Sequence, residues 1–523
     1  MYNNMKNIFN FKKLGFKPLV CVAIISFQLL TFSSFAQFSG GNGTEKNPYI
    51  ITTAAELVQL ATFVNTGNVN YNDKYYKLGG NINLSAYGAG YNNGKGWVPI
   101  GKYDYFNPAN YYPFRGNFNG DSNTITGLYI NDTLSFGVGL FGSTNKAAIY
   151  NLSLDSVNIK GGGYVGAIIG HDSCSSIAFC NSSGNIKAGS WVGGLLGWSP
   201  LGYGVHWIYS CYSSCNIIAS GYYIGGIAGK IGELYKIMSC YSTGNISGLD
   251  YVGGIAGGIS DDAAIYYCYS TGNVSGRDYI GGIAGYIDGS FLSNCYSIGG
   301  VTGNNYVGGI VGRARDNGCT PVQMAGNVAL NLSVKGEKVG RIMGDNVEKP
   351  IVATHNLKNV AYEGILTKAD DAVWTNKAID DLDGEDIDKE AINADGTLGG
   401  AFISTQVTGW TTQNGKLPGL FGKPVEMPEH LQKAGQGTTS IAERDNSDIR
   451  VYPNPTNGEL RIESVNTKID NVEVYDIAGK LVQTHRLNST TNAILDVSKL
   501  STGTYFLTIY SEGQKTTKKF VKE

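Results

Sequence analysis

One seven-residue phrase recurs through the middle of the chain, and its spacing limits the folds open to it. Tyr223-Ile-Gly-Gly-Ile-Ala-Gly229 is followed by copies beginning at Tyr251, Tyr279 and Tyr306, and looser copies begin at Phe136, Tyr164, Trp191 and Lys338. Successive starts lie 28, 27, 32, 28, 28, 27 and 32 residues apart. A second phrase follows at a fixed offset: Cys240-Tyr-Ser-Thr-Gly-Asn-Ile246, Cys268-Tyr-Ser-Thr-Gly-Asn-Val274 and Cys295-Tyr-Ser-Ile-Gly-Gly-Val301. Self-similarity at such a period marks a repeat architecture.

Each copy holds short runs of Val, Ile, Cys and Tyr cut by Gly, Ser and Asn. Runs this short, bounded by turn residues, read as strands. A single copy cannot bury its own apolar side. Stacked copies can, because each pairs its backbone with the copies above and below. The fold class expected is therefore all-β: a β-solenoid of 27–32-residue repeats, most simply a parallel β-helix, with a stack of two-stranded hairpins as the alternative. Eight copies at a strand spacing of roughly 4.8 Å give a section of roughly 38 Å. The paired glycines, Gly253-Gly254 and Gly281-Gly282, suit a tight corner or a close backbone approach.

The two phrases together resemble the GLUG repeat family of bacterial surface proteins, over about Phe136 to Gly344. That family includes adhesin-like proteins and the non-catalytic part of some immunoglobulin A metallopeptidases. The resemblance implies a surface or secreted protein with a binding role.

The flanks differ from the repeats. Residues 1–36 read as a signal peptide: Lys6, Lys12, Lys13 and Lys17, then the apolar stretch Pro18–Phe32, then Ser34-Phe35-Ala36 before Gln37. No later stretch is long enough to span a bilayer as a helix. Residues 37–135 are expected to form an N-terminal cap with irregular first rungs. In it Thr53-Ala-Ala-Glu56 is a capping box opening a helix that buries Leu57, Leu60, Ala61 and Val64. Such a helix would cover the open strand edges of the first coil. Residues 136–344 form the repeat solenoid and 345–423 a closing segment with Trp374, Trp410 and Leu417-Pro-Gly-Leu420. Residues 424–447, polar and without periodicity, are a linker. The tail, 448–523, alternates as short strands and turns and suggests a small Ig-like β-sandwich. Its Val451-Tyr-Pro-Asn-Pro-Thr-Asn-Gly458, Val472-Glu-Val-Tyr-Asp-Ile-Ala-Gly-Lys480 and Gly503-Thr-Tyr-Phe-Leu-Thr-Ile509 resemble the C-terminal sorting domain of the type IX (Por) secretion system of Bacteroidetes. This resemblance implies passage through the periplasm, the type IX machinery as a partner, and either attachment to the outer cell surface or release.

Chemistry is sparse. The net charge is -2 with 16% charged residues, which offers no basic footprint for nucleic acid. His-Glu-x-x-His is absent, and the five histidines never fall at ligand spacing. Gly137-Val-Gly-Leu-Phe-Gly142 fits a dinucleotide fingerprint but is a copy of the repeat phrase. No cofactor and no catalytic residue is expected. In the acidic run of the closing segment, Asp381, Asp383 and Glu390 would fall at calcium-loop positions around Gly384. Ile379 would then occupy the first ligand position, where it cannot bind. The plainer reading is an acidic helix start. Cys180, Cys211, Cys240, Cys268 and Cys295 recur at one repeat position and read as a buried apolar ladder, with disulfides between rungs as the alternative. Asp132-Thr-Leu and Asp155-Ser-Val resemble an O-glycosylation sequence used in Bacteroidetes.

If each ladder cysteine points inward, the next residue points outward. Tyr212, Tyr241, Tyr269 and Tyr296 would then form a solvent-facing stripe and a candidate binding surface for a glycan or a host or matrix protein. The plainer role of these rings is self-stacking. A second tyrosine ladder starts the copies at Tyr223, Tyr251, Tyr279 and Tyr306. The reading is a secreted or surface-anchored adhesin-like protein. Its rivals are a polysaccharide-active enzyme using Asp261, Asp262 or Asp288, and a passive component of the cell surface.

Overall fold

The computed structural model describes residues 37–523 apart from 105–106, 108–109, 201–203, 348–357, 368–373, 376, 378–380, 401, 403–408, 434–448, 465–466, 477–479 and 512–513. The signal segment 1–36 and most of the linker lie outside the described residues. The chain divides into two compact units, Met1–Lys433 and Ala434–Glu523.

The first unit is a parallel β-solenoid, and one coil shows its plan. Ala264–Tyr266, Tyr269–Ser270, Val274–Ser275, Asp278–Gly281 and Ala284–Asp288 follow one another round the coil. Each pairs in parallel with the equivalent strand of the coils before and after. This pairing rules out a stack of hairpins. Ten strands, from Tyr49–Ile51 to Gln323–Ala325, line one side, and eight, from Phe141–Asn145 to Met343–Val347, line another. The other three strands of each coil build a third, bent sheet. The first of the ten strands lies well before Phe136, so regular pairing starts inside the N-terminal flank.

In-register pairing stacks like on like. Ile237, Ile265, Leu292 and Met324 form one interior column, and Val252, Ile280, Val307 and Val339 another. All but Val339 are fully buried. Burying each such side chain contributes about 1.5–3 kcal/mol, so both columns stabilise the stack along its axis.

The glycine pair is a packing requirement. A Cβ on Gly254 would lie 2.0 Å from the Gly282 carbonyl oxygen and 2.4 Å from Ser270 Oγ. The serine is that of Cys268-Tyr-Ser270, so the second phrase fills the space the first leaves empty. The aromatic residue before each pair sits in left-handed backbone: Tyr223 at φ 61°, Tyr251 at 57°, Tyr279 at 64° and Tyr306 at 59°. That conformation costs a non-glycine residue about 1–2 kcal/mol. Ring stacking of about 0.5–1.5 kcal/mol per pair offsets it. In the first, looser copy the register places Val138 beside Val165 and Phe141 beside Ile169. Gly137, at φ 72°, therefore takes the left-handed corner, and Phe136 precedes it.

Helix α1 (Ala54–Asn65) carries the expected capping box and buries Leu57, Leu60, Ala61 and Val64. At the other end Val360–Tyr362 and Glu385–Ile387 extend the bent sheet. Helix α2 (Lys389–Ala394) follows, then a three-stranded antiparallel sheet of Trp410–Thr411, Leu417–Leu420 and Lys423–Val425.

The second unit is a small β-sandwich. A three-stranded antiparallel sheet, with Ile449–Tyr452, Glu459–Ser464 and Asn492–Asp496, shares a core with a four-stranded one. Leu460, Ile462, Val472, Val474, Leu507 and Phe520 meet in that core.

Candidate functional site

The tyrosines after the ladder cysteines stack as expected, but they do not all face solvent. Tyr212–Tyr241, Tyr241–Tyr269 and Tyr269–Tyr296 have ring centroids 4.9, 4.8 and 5.1 Å apart with interplanar angles of 3°, 7° and 6°. Tyr269 is 5% exposed and Tyr296 0%. Trp410 lies over both, Phe402 packs edge-on against Tyr296, and Tyr296 donates its hydroxyl proton to the Pro418 carbonyl. Phe421 reaches Tyr212 and Tyr241, which stay half-buried. The closing segment thus lies as a strap along this stripe. The alternation that points the rings away from the core points them into the strap, and only the Tyr212–Tyr241 end keeps contact with solvent.

The second ladder stays half-exposed throughout. Tyr223–Tyr251, Tyr251–Tyr279 and Tyr279–Tyr306 stack at 4.7, 4.7 and 5.0 Å, within 10° of parallel. Stacked rings spend their faces on one another and present edges and hydroxyls outward. Cations flank them: Lys230 Nζ lies 5.0 Å from the Tyr223 ring, Arg313 5.2 Å from Tyr306, and Lys338 Nζ 4.8 Å from Tyr306. Each such contact contributes about 0.5–1 kcal/mol at an exposed site. Lys230 and Arg313 directly follow the closing glycine of their copies, Gly229 and Gly312. This was the sequence signal available for them.

The carboxylates weighed as catalytic lie on adjacent rungs, where the Asp261 backbone N–H donates to the Asp288 carbonyl at 3.1 Å. Asp288 pairs with Arg315 at 2.9 Å and accepts a hydrogen bond from the Tyr286 hydroxyl at 3.4 Å. Asp261 and Asp262 form a left-handed turn at φ 58° and 63°, with Asp261 exposed. Asp250 and Asp278 accept the backbone N–H of the next rung, from Asp278 at 3.2 Å and Asn305 at 3.1 Å. Theirs is the turn role their repetition suggests.

Among the described residues the calcium geometry is not formed. Asp383 is buried and accepts the Arg341 backbone N–H at 3.1 Å, Asp381 is exposed, and Glu390 lies in the first turn of α2. Among the described residues no group of three or more His, Cys, Asp or Glu could hold a metal ion. The run instead meets cations and caps a helix. Asp386 pairs with Arg341 and Lys377, Glu385 with Lys358, and Asp388 caps α2. Asp380 lies outside the described residues.

The eight cysteines among the described residues are free thiols, and the ladder ones are buried. The N–H groups of Cys180, Cys211 and Cys240 reach the sulfur of the next rung at 3.3, 3.4 and 3.4 Å. Asn327 and Asn359 continue the column where cysteine runs out. Asn327 Oδ1 accepts from the Cys295 N–H at 3.1 Å and Asn359 Oδ1 from the Asn327 N–H at 3.2 Å.

A buried polar cluster escaped the sequence reading. Asp172 has no exposed surface and accepts hydrogen bonds from Thr144 Oγ1 at 2.7 Å and the Ser175 N–H at 3.1 Å. Burial raises its pKa. Its neighbour His171 stacks on Tyr103 at 4.0 Å, and burial lowers its pKa to about 3.

Residues 450–523 match the family model of the secretion system C-terminal sorting domain. The chain is therefore a Bacteroidetes-type protein of the type IX route, exported to the cell surface or the extracellular space through the type IX machinery. Among the described residues no helix is long and apolar enough to cross a membrane. A protein of Evansella cellulosilytica, provisionally described as a Gly-rich membrane protein, is 36% identical over 139 residues, which is 26% of this chain and 14% of that protein. Halomucin of Haloquadratum walsbyi is 29% identical over 211 residues, 39% of this chain and 2% of its own length. The chain thus spans a small part of either curated relative. A crystal structure from Bacteroides ovatus, provisionally described as an immunoglobulin A1 protease, is 19% identical with a TM-score of 0.39, covering 76% of this chain and 96% of that one.

Proposed function

We propose that this is an adhesin-like binding protein, displayed at or released from the cell surface, whose solenoid side is the binding surface. The supporting observation is the half-exposed corner of Tyr223, Tyr251, Tyr279 and Tyr306 with Lys230, Arg313 and Lys338 beside it. It offers the same hydroxyl, with cations at intervals, once per coil. A ligand with its own repeat, such as a glycan or an extended matrix protein, engages several of these at once, and weak contacts reinforce one another. Hydrolysis would need one unique pair of carboxylates, whereas Asp288 is held in an ion pair with Arg315, and Asp250 and Asp278 accept the backbone N–H of the next rung. The likeness of the repeats to the GLUG family favours the same reading.

The test probes the full chain on an array of glycans and host matrix proteins while assaying each polysaccharide for new reducing ends. Saturable binding without release is expected. Replacing Lys230 and Arg313 together by Gln should weaken it about tenfold without unfolding the ladder. New reducing ends would replace the binding reading with an enzymatic one, and silence across the array would sink it.

A further inference from the structure

Most solenoid cations near the corners have partners. Lys95 meets Asp132 at 2.9 Å, Arg315 meets Asp288, and Lys230 and Lys338 lie over tyrosine rings. Lys160 and Lys187 do not. They sit on the strands Ser153–Gly166 and Asn181–Gly193, directly opposite each other in the parallel register. Each alternates with a buried isoleucine, Ile159 and Ile186, so both point outward, and both are exposed. No carboxylate or ring partners either among the described residues. Two ammonium groups at neighbouring positions on adjacent strands, roughly 4.8 Å apart at the backbone, repel each other.

The two lysines wall a groove of about 450 Å³ whose floor is Gly161, Gly162 and Gly189. The floor is bare because the backbone leaves no room. A Cβ on Gly189 would lie 2.1 Å from the Gly162 carbonyl oxygen. Thr133 and Ser220 bring hydroxyls to the rim. Two aliphatic side chains border it and stand out into water: Leu134, 87% exposed beside Gly162, and Ile218, 59% exposed and opposite Lys187. Paired cations, hydroxyls and exposed aliphatic surface over an open floor match one ligand chemistry. Acid groups answer the lysines, ring hydroxyls the rim, and the C–H face of a sugar the aliphatic residues.

The geometry points to this groove as a binding site for an anionic polysaccharide, its carboxylates or sulfates bridging Lys160 and Lys187. The assignment rests on the binding reading above and adds to the tyrosine corner a second contact region on the solenoid, together with the charge of the ligand.

Isothermal titration of the full chain with polygalacturonate, dextran sulfate, neutral dextran and oligo-dT tests it at about 0.15 M salt, where long-range attraction is screened. One or both acidic glycans should bind, dextran and oligo-dT should not, and the stronger polyanion tells carboxylate from sulfate. Replacing Lys160 and Lys187 together by Gln should cut affinity at least tenfold and flatten its salt dependence, with the melting temperature unchanged. Leu134→Ser should weaken binding several-fold and leave the salt dependence as it was. Lys46→Gln with Lys146→Gln, an equal charge change at exposed sites elsewhere, should leave binding intact. Equal losses from the two double variants, equal binding of oligo-dT, or acidic glycans that ignore the Lys160 and Lys187 change would overturn the assignment. If only neutral glycans or matrix proteins bind the array, this assignment fails and the binding function stands. If nothing binds, both fail.

Discussion

At the scale of single residues, the solenoid is held by positions that admit one kind of side chain. Gly254 is the clearest, since a methyl group there meets a carbonyl oxygen of the next coil and a serine hydroxyl together. Gly254→Ala should cost about 3 kcal/mol, the upper part of the usual overpacking range. Gly80→Ala, with nothing within 4 Å of the added carbon, should change stability by less than about 0.5 kcal/mol. Urea unfolding of the two variants checks the contrast. His171 is sensitive in another way. Its pKa falls from the ordinary 6.5 to about 3 in the folded chain. Between those values the unfolded chain holds a proton that the folded chain does not. Stability is therefore lost as pH drops through that window, by about 1.4 kcal/mol per pH unit at most. Asp172 acts in the opposite sense, because its raised pKa makes protonation favour the folded state. His171→Phe keeps the stack on Tyr103 and removes the titration. Its melting temperature should fall less than that of the unaltered chain between pH 6.5 and 4, and parallel curves would refute the assignment.

At the scale of elements, the ladders act as units. Burial pushes the thiols of Cys180, Cys211, Cys240 and Cys268 well above their ordinary range. The reactive form is the thiolate, so these thiols should stay reduced and unlabelled although the chain is exported. A thiol reagent on the native protein should label exposed Cys319 promptly and half-buried Cys174 more slowly. The five ladder thiols should react only after denaturation, and rapid native labelling of any of them would show the column to be loose. Much of this element was legible in the sequence. The cysteine spacing gave the column, the glycine pairs gave the corner, and Thr53 with Glu56 gave the cap of α1. Its continuation by Asn327 and Asn359 was not legible, because asparagine there serves as a polar acceptor and not as a small apolar filler. Nor was the strap. Tyr296 and Pro418 are 122 residues apart, and alternation along a strand says which way a ring points but not what lies on it. The open groove at Lys160 was hidden for the same reason, since its lysines matter only through the register that sets them side by side.

At the scale of the whole molecule, a solenoid whose backbone pairing links each coil only to its immediate neighbours should tolerate the loss of one entire coil. Deleting residues 251–278 joins Asp250 to Tyr279 and preserves the register, because Asp250 stands opposite Asp278 and Val252 opposite Ile280. The shortened solenoid should be about 4.8 Å shorter and still fold cooperatively. Deleting 20 residues from the same place should not fold, because the remaining eight-residue mismatch would set strands against corners and break the ladder. The strap makes the intact-coil deletion informative in a second way. It spans the tyrosine stripe, with Phe421 over Tyr212 and Tyr241 and Trp410 over Tyr269 and Tyr296. Loss of Tyr269 brings Tyr241 next to Tyr296, so a strap of unchanged length cannot satisfy both ends. Hydrogen exchange should then rise in residues 409–425 while the interior columns keep their protection. Unchanged exchange in that segment would mean that the strap slides along the stripe, whereas lost protection in the columns would mean that the coils depend on more than their immediate neighbours.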